Sequence, residues 1–160
     1  MGWLLLLLVA GEQEIVKTKG VSADRGPKSG PQIVFVCEHG AALSVISASY
    51  FNKVAHERHL HFHAIARGTA PQKDLSVIAR EGLKADQVAV AIKRPTALSG
   101  KELAHAWRIV AFCPLPAKYS KAAPMETWSD LSWPAASYGA ARDAILKHIE
   151  ELIQRLTSEE

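Results

Sequence analysis

Cysteine is scarce in this chain. Cys37 and Cys113 are its only two among 160 residues, and no Cys-x-x-Cys pair occurs. This excludes a disulfide framework and a Cys-x-x-Cys motif, so each thiol has to be judged by its surroundings. Clusters of lysine and arginine interleaved with aromatics are also missing. A net charge of +3 and a pI near 8.9 therefore leave no nucleic-acid footprint. No apolar run approaches the roughly 20 residues that cross a bilayer. What remains is ordinary globular composition: 48% apolar residues supply a core, and 22% charged residues supply a normal surface.

The longest apolar run is Trp3 to Val9, mostly leucine. Its length suits the core of an export signal, and Val9-Ala10-Gly11 offers small residues for a cut. No Lys or Arg precedes Trp3, however, and no cysteine follows Gly11 to carry a lipid. Two readings stand: a short signal on an exported protein, or a stray apolar tail from a misplaced start on a cytoplasmic one. Residues 12–31 hold Gly20, Gly26, Pro27, Gly30 and Pro31 among polar neighbours, which reads as a linker. The expected organisation is a signal-like segment over 1–11, a linker over 12–31 and one domain over 32–157.

Within the domain, Gln32–Cys37 is a short continuous apolar run rich in β-formers, the pattern of a buried central strand in a parallel sheet. A glycine-containing loop follows. Apolar residues from Val45 to Ala55 then recur at helical spacing, with Ser44 placed to cap them. A strand, tight loop and helix start of this kind presents backbone N–H groups and a positive dipole end to an anion. A second strand is expected over His59–Arg67 and a helix over Gln72–Leu83 closed by Gly82. A short strand is expected over Val88–Ile92, a helical turn over Lys101–Ala106 and a strand over Trp107–Phe112. Lys118–Trp133 reads as irregular and Ser137–Leu156 as a long amphipathic helix. Strands alternating with helices predict an α/β three-layer sandwich: a central, mostly parallel sheet of about four strands flanked by helices. Ligands of such sheets sit at the carboxyl ends of the strands, where both cysteines are expected.

The segment Val34-Phe-Val-Cys-Glu-His-Gly-Ala-Ala-Leu-Ser44 resembles the signature of the low-molecular-weight protein tyrosine phosphatase and arsenate reductase family. That signature is a hydrophobic strand, a cysteine, five residues, an arginine, and a serine or threonine opening the first helix. Ala66-Arg-Gly-Thr69 is similar to the stretch that follows the family's second strand. The resemblance implies that Cys37 is a nucleophile within an anion-binding loop of Glu38, His39, Gly40, Ala41, Ala42, Leu43 and Ser44. The loop arginine would grip two oxyanion oxygens with its planar fork and hold the thiolate, but Leu43 stands in its place. The family's late Asp-Pro, whose aspartate protonates the leaving oxygen, is matched by Trp133-Pro134, with Asp130 three residues earlier as the nearest substitute acid.

Each candidate has a plainer alternative. Cys37 is either a reactive thiol at a helix start or a small apolar filler. Cys113, followed by Pro114, is similar to a relay cysteine of the reductase branch, or is a buried cysteine ending a strand. Arg67 either restores the charge lost at Leu43 or is a surface arginine. His59, His61 and His63 alternate as zinc or copper ligands can. They lack an acidic or cysteine partner, so they read as the polar row of an edge strand, and no metal or cofactor is expected. Trp107, Trp128 and Trp133 read as core and loop anchors. The leading functional expectation is a weakly active or inactive phosphatase-like protein that keeps an anion-binding or regulatory role. An active phosphatase or arsenate reductase, and an exported thiol- or metal-binding protein on the same fold, are the alternatives. If the protein is active, the expected partner is a small oxyanion or a phosphorylated substrate. No nucleic acid and no membrane span are expected, and the oligomeric state stays open.

Overall fold

The computed structural model describes residues 30–119, 123–133 and 137–159. The readings of the leucine-rich run and of the linker up to residue 29 lie outside these residues. The described chain forms β1 (Gln32–Cys37), α1 (Leu43–Glu57), β2 (His63–Gly68), α2 (Val77–Ala85), α3 (Gly100–His105), β3 (Arg108–Ala111), β4 (Met125–Thr127) and α4 (Tyr138–Ser158). The four strands make one sheet in the order β2-β1-β3-β4, parallel at every pairing. No helix among the described residues is long and apolar enough to cross a membrane.

β1 is central, and its alternation feeds both faces of the sheet. Ile33 and Phe35 enter a core shared with α1, α2 and α4, through Ile46, Phe51, Leu83 and Ile149. Val34 and Val36 enter a smaller core with Leu98, Leu103 and Ala106 around α3. All four are fully buried, as expected of a parallel strand covered on both faces. The three-layer α/β arrangement agrees with the expectation from the strand and helix pattern.

The fourth strand is not where the sequence pattern put it. Val88–Ile92 forms no strand. Gln87 adopts φ +56°, its amide donates to the Lys84 carbonyl at 3.1 Å, and the Val88 amide donates to Leu83 at 2.8 Å. This is the pattern of a Schellman helix ending, with buried Val88 packing as its apolar companion. Val88 is thus buried as the close of α2, which explains its strand-like look. Gly82 does not close this helix. It lies inside α2, where a Cβ would meet the Tyr138 ring at 2.4 Å. The missing strand is β4, within the stretch read as irregular. Its Met-Glu-Thr sequence carries little β-signal, and it exists by pairing with β3.

β2 likewise begins at His63, not His59. His59 sits at φ +55° and ends α1 by the same device, with the Leu60 amide on Ala55 and the His59 amide on His56. Of the three alternating histidines only His63 is on a strand, so they do not form a ligand row. Ser44 does not cap α1: the cap position is Ala42, which offers no side-chain bond. α2 starts at Val77 because the Ser76 hydroxyl accepts from the Ala79 amide, leaving 69–75 free for another task. Trp107 is 43% exposed and so is no core anchor, whereas Trp128 is buried.

Candidate functional site

β1 delivers Cys37 to the carboxyl edge of the sheet, and β3 delivers Cys113 two residues past its own end. Between Cys37 and α1 the chain must turn tightly. Gly40 makes this possible at φ +60°, and a Cβ there would stand 2.8 Å from the Gly68 amide nitrogen. Gly68 answers from the other side, since its own Cβ would meet the Gly40 nitrogen at 2.8 Å. The two backbones touch because neither carries a side chain.

The loop is pinned from behind. The carbonyl of Cys37 accepts from Thr69 at 3.1 Å, that of Glu38 from Ala70 at 2.8 Å, that of His39 from Gln72 at 3.2 Å and that of Ala41 from Ser76 at 3.0 Å. The Ala42 carbonyl accepts from Ile46 in the first turn of α1. Residues 69–76 are therefore the brace of the Cys37 loop, which is why α2 starts late. With the carbonyls turned outward, the N–H groups of residues 38–43 make no hydrogen bond among the described residues. Successive N–H groups without a partner at the start of a 15-residue helix are the kind of arrangement that can receive an anion.

The loop opens into a cavity of about 550 Å³. Cys37, Glu38, His39, Ala41, Ala42 and Leu43 line its floor, with Gln72 and Ser76 from the brace beside them. Phe112 and Cys113 line it from just past β3, and Ser129, Leu131, Ser132 and Trp133 supply the rim. The Cys37 Sγ lies 3.1 Å from the Ser44 Oγ. Ser44 thus meets the thiol where capping of α1 was expected. Burial, reinforced by the nearby Cys37 and Glu38, pushes the Cys113 thiol above its ordinary range, against an opposing hydrogen bond with Thr69. Both cysteines are free and half-buried.

Two expected site residues are not brought to this cavity. The Arg67 guanidinium donates from Nε to Glu102 Oε1 at 2.7 Å and from Nη1 to the Ala66 carbonyl at 2.7 Å. Burial would raise the Glu102 carboxyl, yet the bonds from Arg67 and Ser99 hold it below its usual range. Arg67 is thus held on α3 and is absent from the cavity lining. Asp130 is exposed, hydrogen-bonds to His148 Nε2 at 2.8 Å and does not line the cavity, although Ser129 and Leu131 on either side do. The bond to His148 lowers its carboxyl below the usual range. Trp133 lines the rim; Pro134 lies outside the described residues. The walls Ser76, Phe112, Leu131 and Ser132 carried no signal in the sequence, because only the tertiary path of two loops brings them to Cys37. No group of three or more metal-ligating side chains occurs among the described residues.

No protein-family model matches the chain, and no curated protein matches it in sequence. Solved structures do match. YfkJ from Bacillus subtilis superposes with a TM-score of 0.71 at 16% identity, covering 84% of this chain and 99% of that one. The low-molecular-weight protein tyrosine phosphatase of T. tengcongensis gives 0.59 at 16%, covering 82% and 100%. A thioredoxin-dependent arsenate reductase from Corynebacterium glutamicum gives 0.65 at 17%, covering 82% of this chain. The fold is that of low-molecular-weight protein tyrosine phosphatases and arsenate reductases. This chain spans 64% of the length of the Corynebacterium reductase. At these identities the likeness is one of fold, and the chemistry has to be argued from the residues at the cavity.

Proposed function

We propose that this protein keeps the oxyanion cradle of the phosphatase and reductase fold but not its efficient transfer chemistry, and serves as an anion-binding or regulatory protein. The observation that carries this reading is the Cys37 loop itself. The carbonyls of Cys37, Glu38, His39, Ala41 and Ala42 accept hydrogen bonds while the N–H groups of 38–43 find no partner among the described residues, and Leu43, 5% exposed, stands where the resemblance expects the charged fork. Backbone dipoles suffice to hold an oxyanion. A side-chain cation aimed at developing charge is what accelerates transfer, and losing even one such donor costs about a hundred- to thousand-fold in rate.

The test is the pH dependence of Cys37 alkylation by iodoacetamide, with and without phosphate or arsenate and with Cys37→Ser as blank. Protection by the anions, together with negligible hydrolysis of p-nitrophenyl phosphate, is the expected result. Alkylation indifferent to either anion would sink the cradle reading. Cys113 in the same cavity supports a second reading, in which the two thiols are the working parts. Loss of both free thiols as an internal disulfide on treatment with oxidised glutathione would favour it; two persistent thiols would reject it.

A further inference from the structure

One side chain of α4 touches the rim of the cavity twice. Trp128 opens the loop that carries Ser129, Leu131, Ser132 and Trp133 to the rim, and it is buried. Its ring stacks on the His148 imidazole, with centroids 4.7 Å apart and planes 22° from parallel. It also stands at 87° to the ring of Phe112, a lining residue, 5.7 Å away. The Nε2 of the same imidazole lies 2.8 Å from the Asp130 Oδ2. The Asp130 carboxyl sits below its usual range, so it is ionised near neutrality and can only accept; the imidazole donates. Asp130 stands between Ser129 and Leu131, which both line the cavity.

From this geometry we infer that His148 is the positioning residue of the rim: by stacking on Trp128 and binding Asp130 it fixes the loop that borders the Cys37 cavity, and so sets how readily a ligand reaches that thiol. The inference goes beyond the oxyanion reading and does not need it, since access to Cys37 is a property of the cavity whether or not an anion binds there.

The other holds on this loop act elsewhere along it. The Trp128 amide donates to Ala111 and its indole to Glu126, which fastens the start of the loop to the sheet. Leu131 is buried in the main core and its amide turns back on the Trp128 carbonyl at 3.5 Å. Neither contact reaches Asp130. The two thiols offer an internal comparison. Cys113 also opens on a second cavity of about 430 Å³, lined by Glu38, Thr69, Pro114, Leu115 and Pro116. Neither Cys37 nor any rim residue lines that cavity. A reagent can therefore approach Cys113 without passing the rim.

The experiment follows iodoacetamide alkylation of both thiols at one pH in the full-length protein, resolved by the masses of the two cysteine peptides. Wild type is compared with three variants. His148→Ala removes both contacts, His148→Phe keeps a ring to stack on Trp128, and His148→Gln keeps a donor for Asp130. A ring stack and a hydrogen bond each shift a local opening equilibrium by about two- to tenfold. Cys37 in His148→Ala is therefore expected to react about tenfold faster than in wild type, with Cys113 unchanged, and the Phe and Gln variants should fall between. Cys37 alkylation that His148→Ala leaves at the wild-type rate overturns the inference. Equal acceleration of both thiols in the Phe and Gln variants, with helical circular dichroism retained, also overturns it, because His148 would then steady the whole domain and not the rim. If His148→Ala fails to fold, the same two variants decide: faster Cys37 with unchanged Cys113 supports the role, and two wild-type rates reject it.

Discussion

On the reading proposed above, Leu43 is the residue on which the chemistry of the site turns. It is the first residue of α1, lines the cavity beside Cys37 and also packs into the main core. An arginine there would begin where the leucine begins and could follow its path to the mouth of the loop. If the cradle is otherwise intact, Leu43→Arg should restore a charged fork. We expect kcat/KM on p-nitrophenyl phosphate to rise at least about a hundredfold over wild type, with Cys37→Ser/Leu43→Arg as blank. A folded Leu43→Arg protein with no gain would mean that something besides the charge is missing, with the displaced Asp130 the first suspect. Gly40 gives a second residue-scale prediction. Gly40→Ala adds a side chain at positive φ against the Gly68 backbone, and should destabilise the fold by about 1–3 kcal/mol in urea melts. At this scale the loop was legible: Cys37 through Leu43 could be read from the chain because a strand, a glycine turn and a helix start are local features. The partners of Arg67 and Asp130 were not legible, because Glu102 and His148 lie 35 and 18 residues away.

The same division between local and distant causes governs the elements. α1 and α4 are long and periodic and β1 is a short continuous apolar run, and their bounds follow from these local patterns. Val88 and His59 imitated strand residues because Schellman endings place an apolar or polar residue just past a helix, where alternation looks plausible. β4 gave no signal because three exposed or half-buried residues become a strand only when β3 offers its open edge. Ion pairs add to the β3 pairing at this edge. Glu126 of β4 accepts from Arg155 of α4 at 2.9 Å to both carboxylate oxygens and from the Trp128 indole at 2.8 Å. Arg108 of β3 lies 3.5 Å from Glu126 and 2.8 Å from Glu159 at the end of α4. Glu126→Gln should therefore loosen β4 selectively. The Trp128 amide, which donates to Ala111, should exchange about tenfold faster, while the amides of β1 stay protected. Uniform acceleration across the sheet would instead mean that β4 opens only with the whole domain. The cavity rim follows β4 directly through Ser129, Leu131 and Ser132, so the same variant should also widen access to Cys37 and speed its alkylation.

Across the whole molecule, α1, α2 and α4 meet at one carboxylate. Asp86 caps the end of α2. It accepts a hydrogen bond from the Tyr50 hydroxyl of α1, another from the Tyr138 hydroxyl of α4 at 3.1 Å, and an ion pair from Arg142 at 3.3 Å. The Tyr50 bond, opposed by burial and helped by Arg142, holds the Asp86 carboxyl below its usual range. Burial first, then the bond to Asp86, pushes the Tyr50 phenol far upward. The two shifts act at opposite ends of the pH scale. A depressed carboxyl adds stability that is present above its unfolded value, about 3.9, and is lost as pH falls through the folded one. A raised phenol adds stability that is present below its unfolded value, about 10, and is lost as pH rises beyond it. Asp86→Asn should thus lower Tm by several degrees near neutrality, and the gap to wild type should close below about pH 4. Tyr50→Phe, which removes the phenol, should soften the alkaline loss of stability above about pH 10. Thermal melts monitored by circular dichroism between about pH 2 and 11 measure both effects. A gap for Asp86→Asn that persists unchanged at the acid end would mean that the three helices are joined by packing around Gly82 and Tyr138, with the charge on Asp86 incidental to their union.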